Sequence, residues 1–302
     1  MRAVLLHETG GPDVLRVEEI ERPEPGEGEV LVRVHAASIN PIEWKYRSGL
    51  MPKKVPSVLG SDISGTVEIS RADGFAEGDE VFGLAASGAY AEFATTPAAM
   101  VARKPAGISH EQAAALPVAG MTAWQALFDR AALQRGQSAL IAGASGGVGH
   151  MAVQFAKKLG GARTIGIGSS RNREFVLSLG ADEYVDYNQQ DVAEAVSGMD
   201  VAFDTVGGPM TQALLATVRP GGVLITIASA PPEDAALERG VRADMLIMNP
   251  NSEQLARIGE LVAAGEVSVE IAEVFALQDV PRAHALSESG HVRGKIVLQI
   301  GG

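Results

Sequence analysis

The sequence predicts an α/β protein in which a doubly wound parallel sheet follows a smaller β-rich domain. Three observations predict it. Residues 138–160, SALIAGASGGVGHMAVQFAKKLG, run strand, glycine turn, helix. Beyond them, apolar runs of strand length alternate with stretches of helical period. Ahead of residue 109, short alternating segments are separated by turn residues, the pattern of a small barrel or twisted sheet.

The N-terminal part reads as β structure. Residues 3–6 are apolar, and Gly10-Gly11-Pro12 is a turn. After the connector ERPEPGEGE, Val30, Val32 and Val34 alternate against Leu31, Arg33 and His35. Residues 38–49, SINPIEWKYRSG, interrupt the pattern with a proline and clustered polar and aromatic side chains, and strand character resumes at 60–69, 80–84 and 89–95. Near residue 109 the texture changes. Ser109 with Gln112 three residues on is a capping box opening a helix over 109–116, Pro117 interrupts it, and 122–133 reads as the next helix.

Residues 138–142 form an apolar run of strand length. Val148, Ala152, Phe155, Ala156 and Leu159 then recur at helical spacing and Gly160 stops the helix. This is the context in which a dinucleotide fingerprint carries meaning. Gly146 lets backbone approach a pyrophosphate, Gly149 lets helix and strand pack closely, and the helix start offers N–H groups to phosphate. The turn Ser145-Gly146-Gly147-Val148 is therefore the expected phosphate cradle. Ala144 departs from GxGxxG, standing where the first glycine would be. Strands at 163–168, 183–187, 200–204 and 222–227 alternate with helices at 172–179, 192–196 and 210–218. A helix over 252–264 and a strand-like tail complete the chain.

Composition bounds the function. The 302 residues exceed one average domain, so two are expected, and 46% hydrophobic against 21% charged residues suits a globular protein with a sizeable core. A net charge of −12 argues against nucleic acid or an anionic membrane as partner. The absence of cysteine excludes disulfides, thiol catalysis and thiolate metal sites. The start MRAVLLHETGG lacks an apolar leader core and no stretch approaches a membrane span, so the cytoplasm is the expected location.

An acidic residue about 20 positions after the glycine turn would bind a ribose 2′-hydroxyl and mark NAD. Here the strand over 163–168 ends in Ser169-Ser170-Arg171. Two hydroxyls and a planar guanidinium suit a 2′-phosphate, which makes NADPH the expected cofactor; the plainer reading of Arg171 is a solvated residue at a helix start.

The order of motifs is similar to the zinc-free quinone oxidoreductase (zeta-crystallin-like) branch of the medium-chain dehydrogenase/reductase superfamily. The similarity covers nearly the whole chain: GGPDVL, PGEGEVLVRVHAASINP, LGSDISGTV, GDEVFG, AALPVAGMTAWQAL, GASGGVGHMAVQFAKKLG, LGADEYVDY, DTVGG, VRPGG and HVRGKIVL. The resemblance implies a GroES-like β-barrel domain over 1–117, a Rossmann domain over 118–264, and a tail, 265–302, that returns to complete the first. It implies a zinc-independent reaction, because Asn40 stands where zinc-dependent relatives carry their first catalytic ligand, GSDISG replaces a Gly-His-Glu segment, and 83–89 leaves no room for a cysteine lobe.

The resemblance places Tyr187 on the adenosine side, and Asn40, Thr122, Val206, Gly207, Ile227, Ala228 and Lys295 on the nicotinamide side. Thr122 reads equally well as a helix N-cap. A hydride acceptor needs a donor for its developing negative charge. The Asn40 amide is the first candidate, with Lys45 or Tyr46 as helpers or proton sources; Lys45 also reads as surface and Tyr46 as packing. Without a metal to polarise a carbonyl, quinones and α,β-unsaturated carbonyls are the expected substrates. The alternative is an NADPH-binding sensor or structural protein with little turnover. The family also implies a homodimer joined through strands near 222–227 and 244–248, the latter equally readable as core.

Overall fold

The computed structural model describes residues 1–301, in two compact units: Met1–Met121 with the chain from Pro250 onward, and Thr122–Asn249. The first unit holds a seven-stranded sheet. Its continuous order is Ile271–Ala276, Lys295–Gln299, Glu29–Ile39, Asp62–Ser70, Glu80–Leu84, Val101–Arg103, with Phe93–Pro97 paired on the first half of Glu29–Ile39. The central strand is long because nearly every side chain from Val30 to Ile39 is buried. Val30, Val32 and Val34 join Ile63, Val81 and Leu298 in one core. The tail joins this sheet: Lys295–Gln299 runs antiparallel to Glu29–Ile39, pairing Ile296 with Ile39 and Leu298 with Ala37. A three-stranded sheet, Leu15–Glu19, Arg2–Leu6 and Ser57–Val58, lies beside it in the same unit.

The second unit is a parallel six-stranded sheet ordered Glu183–Asp186, Arg163–Gly168, Ser138–Ala142, Met199–Asp204, Val218–Thr226, Arg242–Met245. Numbered along the chain, that order is 3-2-1-4-5-6, the doubly wound arrangement, and the strand order reverses between Ser138–Ala142 and Met199–Asp204. Leu140, Ile165, Ala202 and Leu224 from four neighbouring strands meet Leu214 of the helix Pro209–Thr217 in its core.

Several segments differ from their sequence reading. The stretch read as an interruption at 38–49 contains the helix Pro41–Ser48, with Pro41 at its first position and Gly49 in left-handed conformation at its end. Its interior Glu43 and Arg47 are buried, so no apolar stripe advertises it. Pro117 starts a helix, Pro117–Trp124, for the same reason: at a first turn, proline forfeits no intrahelical hydrogen bond. The tail is not all strand, since Val280–Glu288 is helical with Pro281 in its first turn. The helix Ser252–Ala263, read as part of the nucleotide-binding domain, falls in the first unit. Its buried face of Leu255, Ile258 and Leu261 turns inward, and Gly259 lies against Phe82 and Pro105.

Candidate active site

Two constellations carry chemistry, one in each unit. In the first unit, three strand ends converge. Ser38 pairs with Asp62 across Glu29–Ile39 and Asp62–Ser70, and Lys295 stands one position before Ile296, the antiparallel partner of Ile39, which brings it to Asn40. The Lys295 ammonium donates to Asn40 Oδ1 at 2.6 Å and approaches Asp62 Oδ2 at 3.4 Å. Asp62 Oδ2 also accepts from Ser38 Oγ at 2.6 Å and from Asn40 Nδ2 at 2.9 Å, while its Oδ1 accepts from the Val118 backbone N–H at 2.9 Å.

Glu43, one turn into the helix Pro41–Ser48, folds back so that its Oε2 accepts from the Asn40 backbone N–H and, at 3.1 Å, from the Tyr90 hydroxyl. Its Oε1 lies 3.4 Å from Asn40 Nδ2. All six side chains, Ser38, Asn40, Glu43, Asp62, Tyr90 and Lys295, are buried.

Burial dominates the electrostatics. Loss of water pushes the Glu43 carboxyl from 4.5 up to about 7; the Asn40 N–H resists this, the Asp62 charge adds to it and the Lys295 ammonium opposes it. Burial, reinforced by Glu43, also pushes the Tyr90 phenol well above its usual range. Behind Tyr90, His284 stands edge-on at 5.8 Å between ring centroids, and burial drives its pKa down to about 3, so it is neutral there.

This donor set does not suit zinc. The oxygens of Asn40 and Asp62 already share one lysine ammonium. Among the described residues no group of three or more His, Cys, Asp or Glu side chains could hold a metal ion.

Lys45 and Tyr46 do not join the cluster. The Lys45 ammonium sits 5.9 Å from the Trp44 ring centroid, and Tyr46 packs on the apolar core beneath Lys53. Sequence reasoning leaves Glu43, Asp62 and Tyr90 out of the catalytic and cofactor-binding residues, a carboxylate-only metal site being the one role it weighs for Asp62 and Glu43. The one local signal was Asn40-Pro41-Ile42-Glu43, an N-cap asparagine with glutamate at the third helical position.

In the second unit, the turn after Ser138–Ala142 is built by its glycines. Gly143, one residue before the expected position, adopts φ +66°, which explains how Ala144 is tolerated. A Cβ on Gly149, at the start of the helix Gly149–Gln154, would fall 2.0 Å from the Gly143 carbonyl oxygen. Helix and turn can therefore touch only through glycine. Gly146 donates its N–H to Gly143 O at 2.9 Å, with Ser145, Gly147 and Val148 in the same turn.

Ser169 and Ser170-Arg171 follow the strand Arg163–Gly168, the neighbour of the central strand. Ser169 O accepts from Tyr184 OH at 2.7 Å, while Arg171 and Tyr187 are exposed. On the other side of the strand-order reversal, buried Asp204 orients Val206-Gly207 by accepting both backbone N–H groups at 2.9 Å, and takes the Thr211 hydroxyl at 2.5 Å. Ile227 N–H donates to Asp204 O at 3.1 Å, tying Ile227-Ala228 to that loop. Thr122 is buried. Asp204 is a further positioning residue that the sequence did not reveal, because aspartate at a strand end is common in any turn.

Comparison with known proteins agrees with both units. Residues 26–106 match the alcohol dehydrogenase GroES-like domain family, and residues 179–298 match a family described as zinc-binding dehydrogenase. The quinone oxidoreductase of Coxiella burnetii superposes with a TM-score of 0.95 at 33% identity, covering 100% of this chain and 99% of that one. The Escherichia coli quinone oxidoreductase complexed with NADPH superposes with a TM-score of 0.92 at 28% identity over 99% and 100% of the two chains. An Arabidopsis thaliana NADPH-dependent alkenal/one oxidoreductase is 31% identical over 99% of this chain and 79% of its own length. Fold, motif order and full-length similarity agree, and the chain belongs to the quinone oxidoreductase, zeta-crystallin-like branch of the medium-chain dehydrogenase/reductase superfamily.

Proposed function

We propose that the protein is an NADPH-dependent reductase of quinones or α,β-unsaturated carbonyls that works without a metal. The observation that carries this reading is the buried Asn40–Lys295–Asp62 constellation, which supplies a fixed positive charge and polarised N–H donors in place of a Lewis acid. When bound, the dihydronicotinamide supplies a hydride to the conjugated acceptor and leaves as NADP⁺, with one proton taken up from solvent to balance the reduction.

The residues of the second unit suit such a cofactor. The Gly143–Gly149 cradle leaves backbone, not side chains, facing a pyrophosphate, and Ser145, Gly146, Gly147 and Val148 would hold it. Ser169, Ser170 and Arg171 would take the 2′-phosphate, with Tyr187 beside the adenosine. Val206, Gly207, Ile227, Ala228 and Thr122 would serve the nicotinamide side. In the first unit, Asn40 and Lys295 orient and polarise the acceptor oxygen, and burial keeps water from screening them. A conjugated acceptor spreads its negative charge, so hydrogen-bond donors and one ammonium suffice.

The same reading gives a homodimer assembled through the edge strand Arg242–Met245, where Met245 and Ile247 are exposed, and a cytoplasmic location. Among the described residues no helix is long and apolar enough to cross a membrane.

Oxidation of NADPH and NADH with 1,4-benzoquinone, 9,10-phenanthrenequinone and a 2-alkenal, with EDTA present, tests this function. NADPH-selective, chelator-insensitive turnover is expected. Tight NADPH binding without turnover of any acceptor would favour a sensor, and loss of activity in EDTA would refute the metal-free reading.

A further inference from the structure

Asn40 is the first candidate for polarising an acceptor oxygen, yet its side chain is fully engaged. Oδ1 takes the Lys295 ammonium, and the two Nδ2 protons point at Asp62 (2.9 Å) and Glu43 (3.4 Å). The second contact is long, and its strength depends on the charge of Glu43. A carboxylate holds the N–H electrostatically, whereas a neutral carboxyl holds it weakly at that distance. The same proton sets the charge balance. With Glu43 ionised, two buried carboxylates face one ammonium; with Glu43 neutral, Asp62 and Lys295 balance one for one.

We propose that Glu43 is a positioning residue whose proton frees the second amide N–H of Asn40 and leaves the Lys295 ammonium facing one carboxylate instead of two, so that the cluster polarises a carbonyl oxygen only while Glu43 is neutral. This rests on the reading of the protein as a quinone or enone reductase.

Glu43 can act so because its surroundings leave it a choice. Its Oε2 already has two partners that also suit the neutral form: the Asn40 backbone N–H remains bonded, and the Tyr90 hydroxyl can accept the carboxyl proton as readily as donate its own. The groups facing Glu43 from each packed element are Asp62, Lys295 and Tyr90. One turn further on its own helix, Arg47 bonds Gly10 O and Glu288, and His284 stands behind Tyr90. Tyr90 and His284 are both neutral around pH 7, one pushed far up and the other down to about 3. Glu43 itself lies at about 7, where small changes in pH alter its occupancy most.

The test is the pH profile of kcat/KM for 9,10-phenanthrenequinone at saturating NADPH, from about pH 5.5 to 9, in the wild-type protein and in Glu43→Gln. Glutamine is the neutral isostere of Glu43: with its amide oxygen in the place of Glu43 Oε2 it accepts from both the Asn40 N–H and the Tyr90 hydroxyl. The wild type is expected to fall about tenfold per pH unit above a bend near 7. Glu43→Gln is expected to keep the acid-side value and stay flat. A flat wild-type profile, a variant that bends as the wild type does, or a folded variant inactive at every pH would each overturn the role.

A carbon NMR titration of carboxyl-labelled glutamate, with the variant assigning the resonance, needs no turnover. Titration near 7 is expected, and titration in the ordinary glutamate range overturns the role. Absence of turnover by the wild type with every acceptor would defeat the reductase reading, and this role with it. An active enzyme with a flat profile defeats the role of Glu43 alone.

Discussion

Replacing Glu43 with Gln should change how the stability of the first unit depends on pH. Glu43 is fully buried and holds its proton up to about pH 7, against 4.5 for an exposed glutamate. The folded chain therefore retains a proton that the unfolded chain gives up, and this favours folding most at low pH. As pH rises from 4.5 to 7 the advantage is lost, and above 7 nothing more changes. A difference of about 2.5 pKa units corresponds to roughly 3 kcal/mol, undiminished by solvent screening because the group is buried. Glutamine carries no such proton, so the stability of Glu43→Gln relative to wild type should rise by roughly 3 kcal/mol across that window and then stay level. Urea denaturation at a series of pH values measures it. The chain has two tryptophans, and a Trp124→Phe background leaves Trp44, the residue after Glu43, as sole reporter of the first unit. A difference that is constant with pH, or that falls as pH rises, would refute the assignment of a buried, proton-holding Glu43.

Lys295→Met should cost about 3–5 kcal/mol in the first unit, since it strands the buried Asp62 carboxylate, and should abolish quinone reduction; denaturation midpoints and steady-state rates check both. Gly149→Ala should weaken NADPH binding and lower Tm, because its Cβ would overlap the Gly143 carbonyl oxygen and force the turn apart. Arg171→Ala should raise the Kd for NADPH by about 10–100-fold and leave NADH nearly unchanged, the loss expected for charged hydrogen bonds to a phosphate. Fluorescence titration with both cofactors reads it, and equal weakening would assign Arg171 elsewhere. Ile247→Glu should turn a dimer into a monomer in light scattering if the Arg242–Met245 edge is the interface.

The nucleotide-binding unit was legible because its information is local. A five-residue apolar strand, a glycine turn and a helix of regular period follow one another without a gap, and the alternation that comes after permits few topologies. Even the departure at Ala144 had a local cause, the positive φ of Gly143 one residue earlier. A strand-like tail after a complete α/β unit suggests a return to the first domain, but no short-range pattern in a tail names the strand with which 295–299 pairs.

The polar cluster is of another kind. Ser38 and Asp62 lie 24 positions apart, Glu43 and Tyr90 47, and Asn40 and Lys295 255. A lone Glu43 beside Trp44, Lys45 and Arg47 reads as one more residue of a polar and aromatic interruption. Lys45 and Tyr46 look as chemically capable as Glu43 on paper, yet the helix turns Glu43 inward and leaves both of the others outside the network. Side-chain type and spacing along the chain specify strands, turns and helices, because those are held by bonds between near neighbours. Burial is a property of where strand ends meet. Burial is what moves the Glu43 carboxyl toward neutrality and leaves one ammonium shared between Asn40 and Asp62.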